Sequence, residues 1–128
     1  MSSAQALKVA LVTGAGSGIG RSVALGLMAD GYTVVLAGRR PEPLQELVAM
    51  AALQGHQALA VPTDVREPAS VDVLFATIAE VYGRLDVVFN NAGVNAPAVP
   101  LDELTFEQWR NVIDTNLNGV FLCARGAF

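Results

Sequence analysis

The sequence holds one cysteine, one histidine and one lysine, and each shortage closes off a class of function. Cys123 alone cannot form an internal disulfide, and a lone cysteine reads as a small buried hydrophobe. His56 alone supplies neither a metal cluster nor a His/Asp/Ser constellation; following Gly55 in a helix-to-strand loop, it is expected to be exposed. Eight basic residues stand against twelve acidic ones, for a net charge of -4 and a pI near 4.7. The basic footprint that nucleic acid or an anionic membrane surface requires is therefore missing. The first eight residues, MSSAQALK, have neither the charged nor the apolar region of a signal peptide. No apolar run approaches the roughly 18 residues that span a bilayer. These shortages predict a soluble cytoplasmic protein without a metal, a nucleic-acid partner or a membrane partner.

Apolar residues are plentiful: 52% of the 128 residues are hydrophobic. A closed domain of this length buries roughly two-thirds of its unfolded surface, so core material is ample. The apolar runs are short and regularly interrupted. VALV (9–12) reads as a strand covered on both faces and TVVLAG (33–38) as a second buried strand; ALAVPTDV (58–65) reads as a third strand and LDVVFN (85–90) as a fourth, buried one. Between them, RSVALGLMAD (21–30) places Val23 and Leu27 at helical spacing, with Gly31 as its C′ residue. Residues 43–55 carry a stripe of Leu44, Leu47, Val48 and Ala51, and residues 68–83 one of Val71, Leu74, Phe75, Ile78 and Val81. Thr105 and Gln108 have the spacing of a capping box that opens a last helix at Phe106. There is no repeat, linker or low-complexity tract. Alternation of strand and helix predicts an α/β fold with a parallel sheet, right-handed crossovers and helices on both faces. The expected strand order is 3-2-1-4, one half of a doubly wound fold with the first unit of the second half.

The first turn, TGAGSGIG (13–20), joins a strand to a helix with four glycines in eight positions. A helix N-terminus has unpartnered N–H groups and the positive end of the helix dipole, so this turn can hold an anion. Gly14 suits the tight turn, Gly18 the approach of a pyrophosphate to the backbone, and Gly20 the close packing of helix on strand. A plain strand-to-helix turn remains the simpler alternative. The spacing is G-x-x-x-G-x-G rather than G-x-G-x-x-G.

With that spacing, TGAGSGIG resembles the T-G-x-x-x-G-I-G turn of the short-chain dehydrogenase/reductase family. TDV (63–65), NNAG (90–93) and NLNGVF (116–121) continue the resemblance in the right order over most of the chain. The resemblance implies that residues 1–128 form a single, incomplete Rossmann dinucleotide-binding domain whose second half is missing. It implies that Thr13, Gly14, Ser17, Gly18, Ile19 and Gly20 bind the pyrophosphate and adenosine side of the cofactor, and that Asp64 and Val65 contact the adenine. Asn91, Ala92 and Gly93 would shape the end of strand four beside the nicotinamide ribose. Asn116 would support the family's proton relay. Each has a plainer alternative: Asp64 as a turn cap, NNAG as a strand-ending loop, Asn116 as a solvated or kink residue.

About 20 residues past the glycine turn, a NAD site presents an acid to the ribose 2′-hydroxyl. Here the stretch reads LAGRRPE (36–42), with Gly38 in the acid's place and Arg39 and Arg40 after it. An arginine there can form charge-assisted bonds to a 2′-phosphate. NADP is therefore the expected cofactor, with NAD second, Arg39 is a cofactor-binding residue, and two solvated loop arginines are the alternative.

The family's hydride transfer uses a tyrosine as general acid/base, a lysine four residues later and a serine that orients the substrate. Four residues beyond Tyr32 and Tyr82 stand Leu36 and Asp86, and the only lysine is Lys8, so the 128 residues contain no such pair. In the family that pair follows the last helix seen here, and this sequence stops at Phe128. Three readings stay open. The chain is the cofactor half of a longer oxidoreductase acting on a small alcohol or ketone, a nucleotide-binding or sensor module without catalysis, or a piece that completes another polypeptide. The apolar face of the last helix, with Trp109, Val112, Ile113, Leu117, Val120, Phe121 and Leu122, exceeds what one sheet face covers. In the family this helix also lines a subunit interface, which implies a homo-oligomer. An unpaired fourth strand would add to the tendency to associate.

Overall fold

The structure, a computed structural model, describes residues 7–128. The reading of MSSAQALK as carrying no signal peptide falls mostly on residues 1–6, outside the described residues. The elements are β1 (Val9–Thr13), α1 (Gly18–Ala29), β2 (Thr33–Gly38), α2 (Pro41–Leu53), β3 (Ala58–Pro62), α3 (Pro68–Val81), β4 (Val87–Phe89), α4 (Phe106–Ile113) and α5 (Gly119–Ala127). A 3₁₀ turn, Leu101–Glu103, precedes α4, and a π-helical turn, Asp114–Asn118, joins α4 to α5. The four strands form one parallel sheet in the order β3-β2-β1-β4, as the alternation predicts.

Strand pleating divides the core in two. Val12, Val34 and Leu36 pack with Met28 of α1 and with Leu44 and Leu47 of α2. Their neighbours Leu11, Val35 and Ala37 point the other way, onto Leu74 and Ile78 of α3. A third cluster, Val65, Val71 and Cys123, brings α5 against α3. Cys123 is fully buried, and desolvation pushes its thiol up to about 11, so it behaves as the buried hydrophobe expected of it.

Several boundaries differ from the sequence reading. α1 begins at Gly18, and its buried seam is Gly20, Ala24 and Met28, with Val23 and Leu27 on its flank. β3 ends at Pro62, because the backbone beyond it is taken by a turn: the Arg66 N–H donates to Asp64 Oδ1 at 3.0 Å. Val81 lies outside the apolar face of α3, and His56 is half-buried rather than exposed. The last helix is two helices, and α4 has no buried residue. Its capping box is present: Thr105 Oγ1 accepts the Gln108 N–H at 3.0 Å, and Gln108 Oε1 accepts the Thr105 N–H at 3.0 Å. Phe106, Trp109, Leu117 and Phe121 are each more than half exposed, so the outer face of α4 and α5 is as apolar and as uncovered as its sequence implies.

Gly20 sets the seat of α1. A Cβ there would overlap the Gly14 carbonyl and meet Asn91 Nδ2 at 2.5 Å. We expect Gly20→Ala to lose about 1–3 kcal/mol of stability, the range for overpacking a site that cannot give. Chemical denaturation of the variant against the parent checks this; an unchanged midpoint contradicts the seat.

Candidate functional site

All four strands release their C-terminal ends toward one rim of the sheet, and the residues singled out from sequence gather there. The chain runs outward from β1 to β2 and β3 and then returns to β4 on β1's other side. In open α/β sheets that reversal leaves a crevice at the strand ends. A cleft of about 330 Å³ occupies it here, lined among others by Gly14, Ser17, Gly38, Arg39, Val65, Ala92, Gly93 and Thr115. That volume lies at the lower end of the range for small-molecule pockets, which is about 300–1,000 Å³.

The glycine turn forms one wall. Gly14 (φ 64°) and Gly18 (φ 55°) both adopt the left-handed conformation, which glycine alone enters without strain. Nothing lies within 4 Å of where a Gly18 side chain would be, so its backbone is open to approach. Ser17 is the N-cap residue of α1 but makes no side-chain capping bond, and the first turn has no acidic residue. The leading N–H groups of α1 are thus left for another acceptor. Ile19 is largely exposed at the start of the helix.

Thr13 is placed differently. It is 1% exposed, and its hydroxyl accepts the N–H groups of Asn91 and Ala92, each at 3.0 Å. Asn91 Nδ2 in turn donates to the Gly14 carbonyl at 3.3 Å. Thr13 and Asn91 therefore tie the loop after β4 to the loop after β1, behind the cleft wall, while Ala92 and Gly93 line the cleft itself.

Asn116 lies in the π-helical turn. Its Oδ1 accepts the Val94 N–H at 2.8 Å and its Nδ2 donates to the Val94 carbonyl at 2.9 Å. Asn116 is exposed and lies in a π turn, as its plainer reading as a solvated or kink residue has it, but both ends of its amide also bond the Val94 backbone, next to the NNAG loop. π turns recur at functional sites.

Arg39 and Arg40 are exposed at the mouth of the cleft, beside Gly38 and Pro43. Opposite, Val65 is buried, and Asp64 forms a bidentate pair with Arg66, with Nη2 to Oδ2 at 2.8 Å and Nε to Oδ1 at 3.0 Å. That bonding holds the Asp64 carboxyl below the ordinary carboxylate range, with the charge of Arg39 adding to it.

Thr63 and Thr115 also line the cleft, and the sequence reading missed both. Thr115 is buried, and its hydroxyl has no hydrogen-bond partner. A buried polar group without a partner is rare, and this one stands on the wall of a cleft. Its position directly before Asn116 is the only sequence signal it carries. The left-handed turn, the uncapped helix start, the two cationic side chains and the unpaired hydroxyl suit a ligand with both phosphate and hydrogen-bonding ring groups. Among the described residues, no group of three or more His, Cys, Asp or Glu side chains converges to hold a metal.

Comparison with known proteins agrees with this geometry. Residues 8–128 match the model of the short chain dehydrogenase family. Over 118 residues the chain is 44% identical to a 3beta-hydroxysteroid dehydrogenase of Mediterraneibacter gnavus, covering 92% of this chain and 43% of that protein. A 3-ketoacyl-ACP reductase from Sinorhizobium meliloti superposes with a TM-score of 0.89 at 40% identity, covering 91% of this chain and 46% of that one. An actinorhodin polyketide ketoreductase solved with NADPH superposes with a TM-score of 0.90 at 37% identity, over 94% and 46% of the two chains. The chain thus spans a little under half the length of each of these proteins. With four motifs in order, the 3-2-1-4 sheet and a family match from residue 8 to residue 128, the chain belongs to the short chain dehydrogenase family.

Proposed function

We propose that this chain is the NADP-binding half of an oxidoreductase that moves a hydride between a nicotinamide and the carbon of a small alcohol or ketone. The observation that carries the reading is the pairing of the glycine turn with Arg39 across one cleft, with Gly38 where a NAD site would place an acid. When bound, the nicotinamide supplies the hydride acceptor or donor. In this reading the turn N–H groups around Gly14, Ser17, Gly18, Ile19 and Gly20 hold the pyrophosphate, Arg39 holds a 2′-phosphate, and Asp64 and Val65 meet the adenine. Thr13 and Asn91 fix the loop on which Ala92 and Gly93 face the nicotinamide ribose. Asn116 holds the same loop from the π turn and supports the proton relay. The 128 residues hold no tyrosine with a lysine four positions on, and they span a little under half the length of the relatives. In this reading that pair and the substrate loop would come from the rest of a longer polypeptide. The names of the relatives, a hydroxysteroid dehydrogenase and ketoacyl or polyketide ketoreductases, favour a secondary alcohol or ketone as substrate class. No helix among the described residues is long and apolar enough to cross a membrane.

We further propose that the outer face of α4 and α5 is a subunit interface. The support is the exposure of Phe106, Trp109, Leu117 and Phe121 on one continuous stretch.

Three outcomes are expected. In the polypeptide encoded by the complete reading frame, Arg39→Asp should weaken NADP(H) binding by roughly tenfold to a hundredfold and shift preference toward NAD(H). Loss of a hydrogen bond to a charged group, worth about 1.5–3 kcal/mol, sets that scale. Titration of both cofactors into parent and variant reads it, and equal NADP affinity in the two rules out Arg39 as the phosphate ligand. Secondly, the purified 128-residue chain should not oxidise NADPH with a panel of ketones, whereas the full polypeptide should. Steady turnover by chain of confirmed mass would overturn this division of labour. Thirdly, sedimentation of the full polypeptide should show an oligomer that Trp109→Glu together with Phe121→Glu converts to smaller species. An unchanged sedimentation coefficient removes α4 and α5 from the interface.

A further inference from the structure

Arg66 does not line the cleft, yet three of its nitrogens are committed around a residue beside it. Asp64 lies between Thr63 and Val65, both of which face the cleft. Its Oδ1 accepts two bonds, from the Arg66 backbone N–H and from Arg66 Nε, each at 3.0 Å. Its Oδ2 accepts one, from Nη2 at 2.8 Å. The remaining arm, Nη1, donates to Asn111 Oδ1 on α4 at 2.7 Å. The Asp64 backbone N–H donates to Ser70 Oγ at the start of α3, at 2.9 Å. The carboxylate is therefore held from its own loop and, through Arg66, from α4, while α3 holds its backbone.

Neither side chain is deeply buried, at 30% and 28% exposure. A pair this exposed adds little to stability, so its main consequence is geometric. A planar guanidinium fork on a carboxylate fixes the orientation of both. It leaves Oδ1 with two donors and Oδ2 with one, and a carboxylate oxygen has two lone pairs. One acceptor position on Oδ2 is open.

We propose that Arg66 is a positioning residue for recognition of the nucleotide base: it turns the Asp64 carboxylate so that Oδ2 accepts the exocyclic amino group of a purine, and Asn111 holds Arg66 in that pose. The inference rests on the reading of the cleft as a dinucleotide site. The same fork keeps Asp64 in its acceptor-only form, since its carboxyl is held below the ordinary range chiefly by Arg66. It also ties the base end of the cleft to Asn111 of α4, three residues before the π turn begins.

The test uses the full polypeptide and two cofactors that differ only at the base: NADPH and its hypoxanthine analogue, in which a carbonyl replaces the amino group. Wild type should bind NADPH more tightly by about tenfold or more, the usual scale for a hydrogen bond to a charged group. Arg66→Met should lose most of that preference while its affinity for the hypoxanthine cofactor stays within about twofold. Asp64→Asn should lose the preference as well, and Arg66→Met added to it should change nothing further, since the first residue acts through the second. Arg66→Lys keeps the charge but not the fork; it should also lose the preference, and it carries the test if the Met variant fails to fold. Retention of the preference by a folded Arg66 variant overturns the inference, as does an equal loss for both cofactors, the mark of a merely structural residue. A wild type that binds both cofactors equally also overturns the inference, whereas one that binds neither brings down the underlying reading of the cleft, and the inference with it.

Discussion

The site depends on how closely α1 approaches the end of β1. α1 sits so near the end of β1 that the Gly20 Cα faces the Gly14 carbonyl and the Asn91 amide with no space for a methyl group. Two loops meet there. The Thr13 hydroxyl accepts two N–H groups from the loop after β4, and Asn91 reaches back to the carbonyl of Gly14. β1 is the strand on which the chain reverses direction across the sheet, with β2 on one side and β4 on the other. Drawing its two flanking loops together closes the floor of the crevice. The helix start then points across that floor rather than away from it.

The rest of the cleft is assembled from the outer strands and the terminal helices. β2 and β3 stay in register past the end of β3: the Thr63 N–H donates to the Gly38 carbonyl at 2.7 Å, so Arg39 and Thr63 leave the sheet side by side. α5 is drawn in by glycine. A Cβ on Gly119 would lie 2.7 Å from Val65 Cγ2, and one on Gly126 would lie 2.5 Å from the Phe75 ring. That approach brings the π turn over the cleft, with Asn116 clamping Val94 and the unpaired hydroxyl of Thr115 on the wall. The two ends of the site are linked by α4, which carries Asn111 toward Arg66 and leads directly into the π turn.

How readily each feature could be read from sequence follows its range. Strands β1 and β2 are continuous apolar runs buried on both faces, and the seams of α2 and α3 repeat at helical spacing. Local pattern and burial coincide, so their existence and order were legible. The capping box at Thr105 and Gln108 is a contact between residues three apart, and it formed as spaced. The end of β3 was misjudged because TDV is apolar-flanked and strand-like, while its carboxylate and Arg66 form a turn that only a rotamer reveals. The π turn was invisible for a similar reason. DTNLN is poor in strong helix formers, but nothing local in it selects a π turn over an α turn, and Asn116 at its centre bonds Val94, more than twenty positions away.

The sequence by itself determined the fold class, the strand order and the family, because those rest on hydrophobic period, on glycines that alone enter left-handed backbone or allow close approach, and on motifs of a few adjacent residues. Tertiary structure alone decided which of the motif residues face the cleft. Thr13 and Asn91 turned out to brace it, Thr115 joined its wall, and Arg66 took hold of Asp64. A side chain's partner across a parallel sheet lies tens of residues away in the chain, and its direction is set by packing that no local pattern encodes.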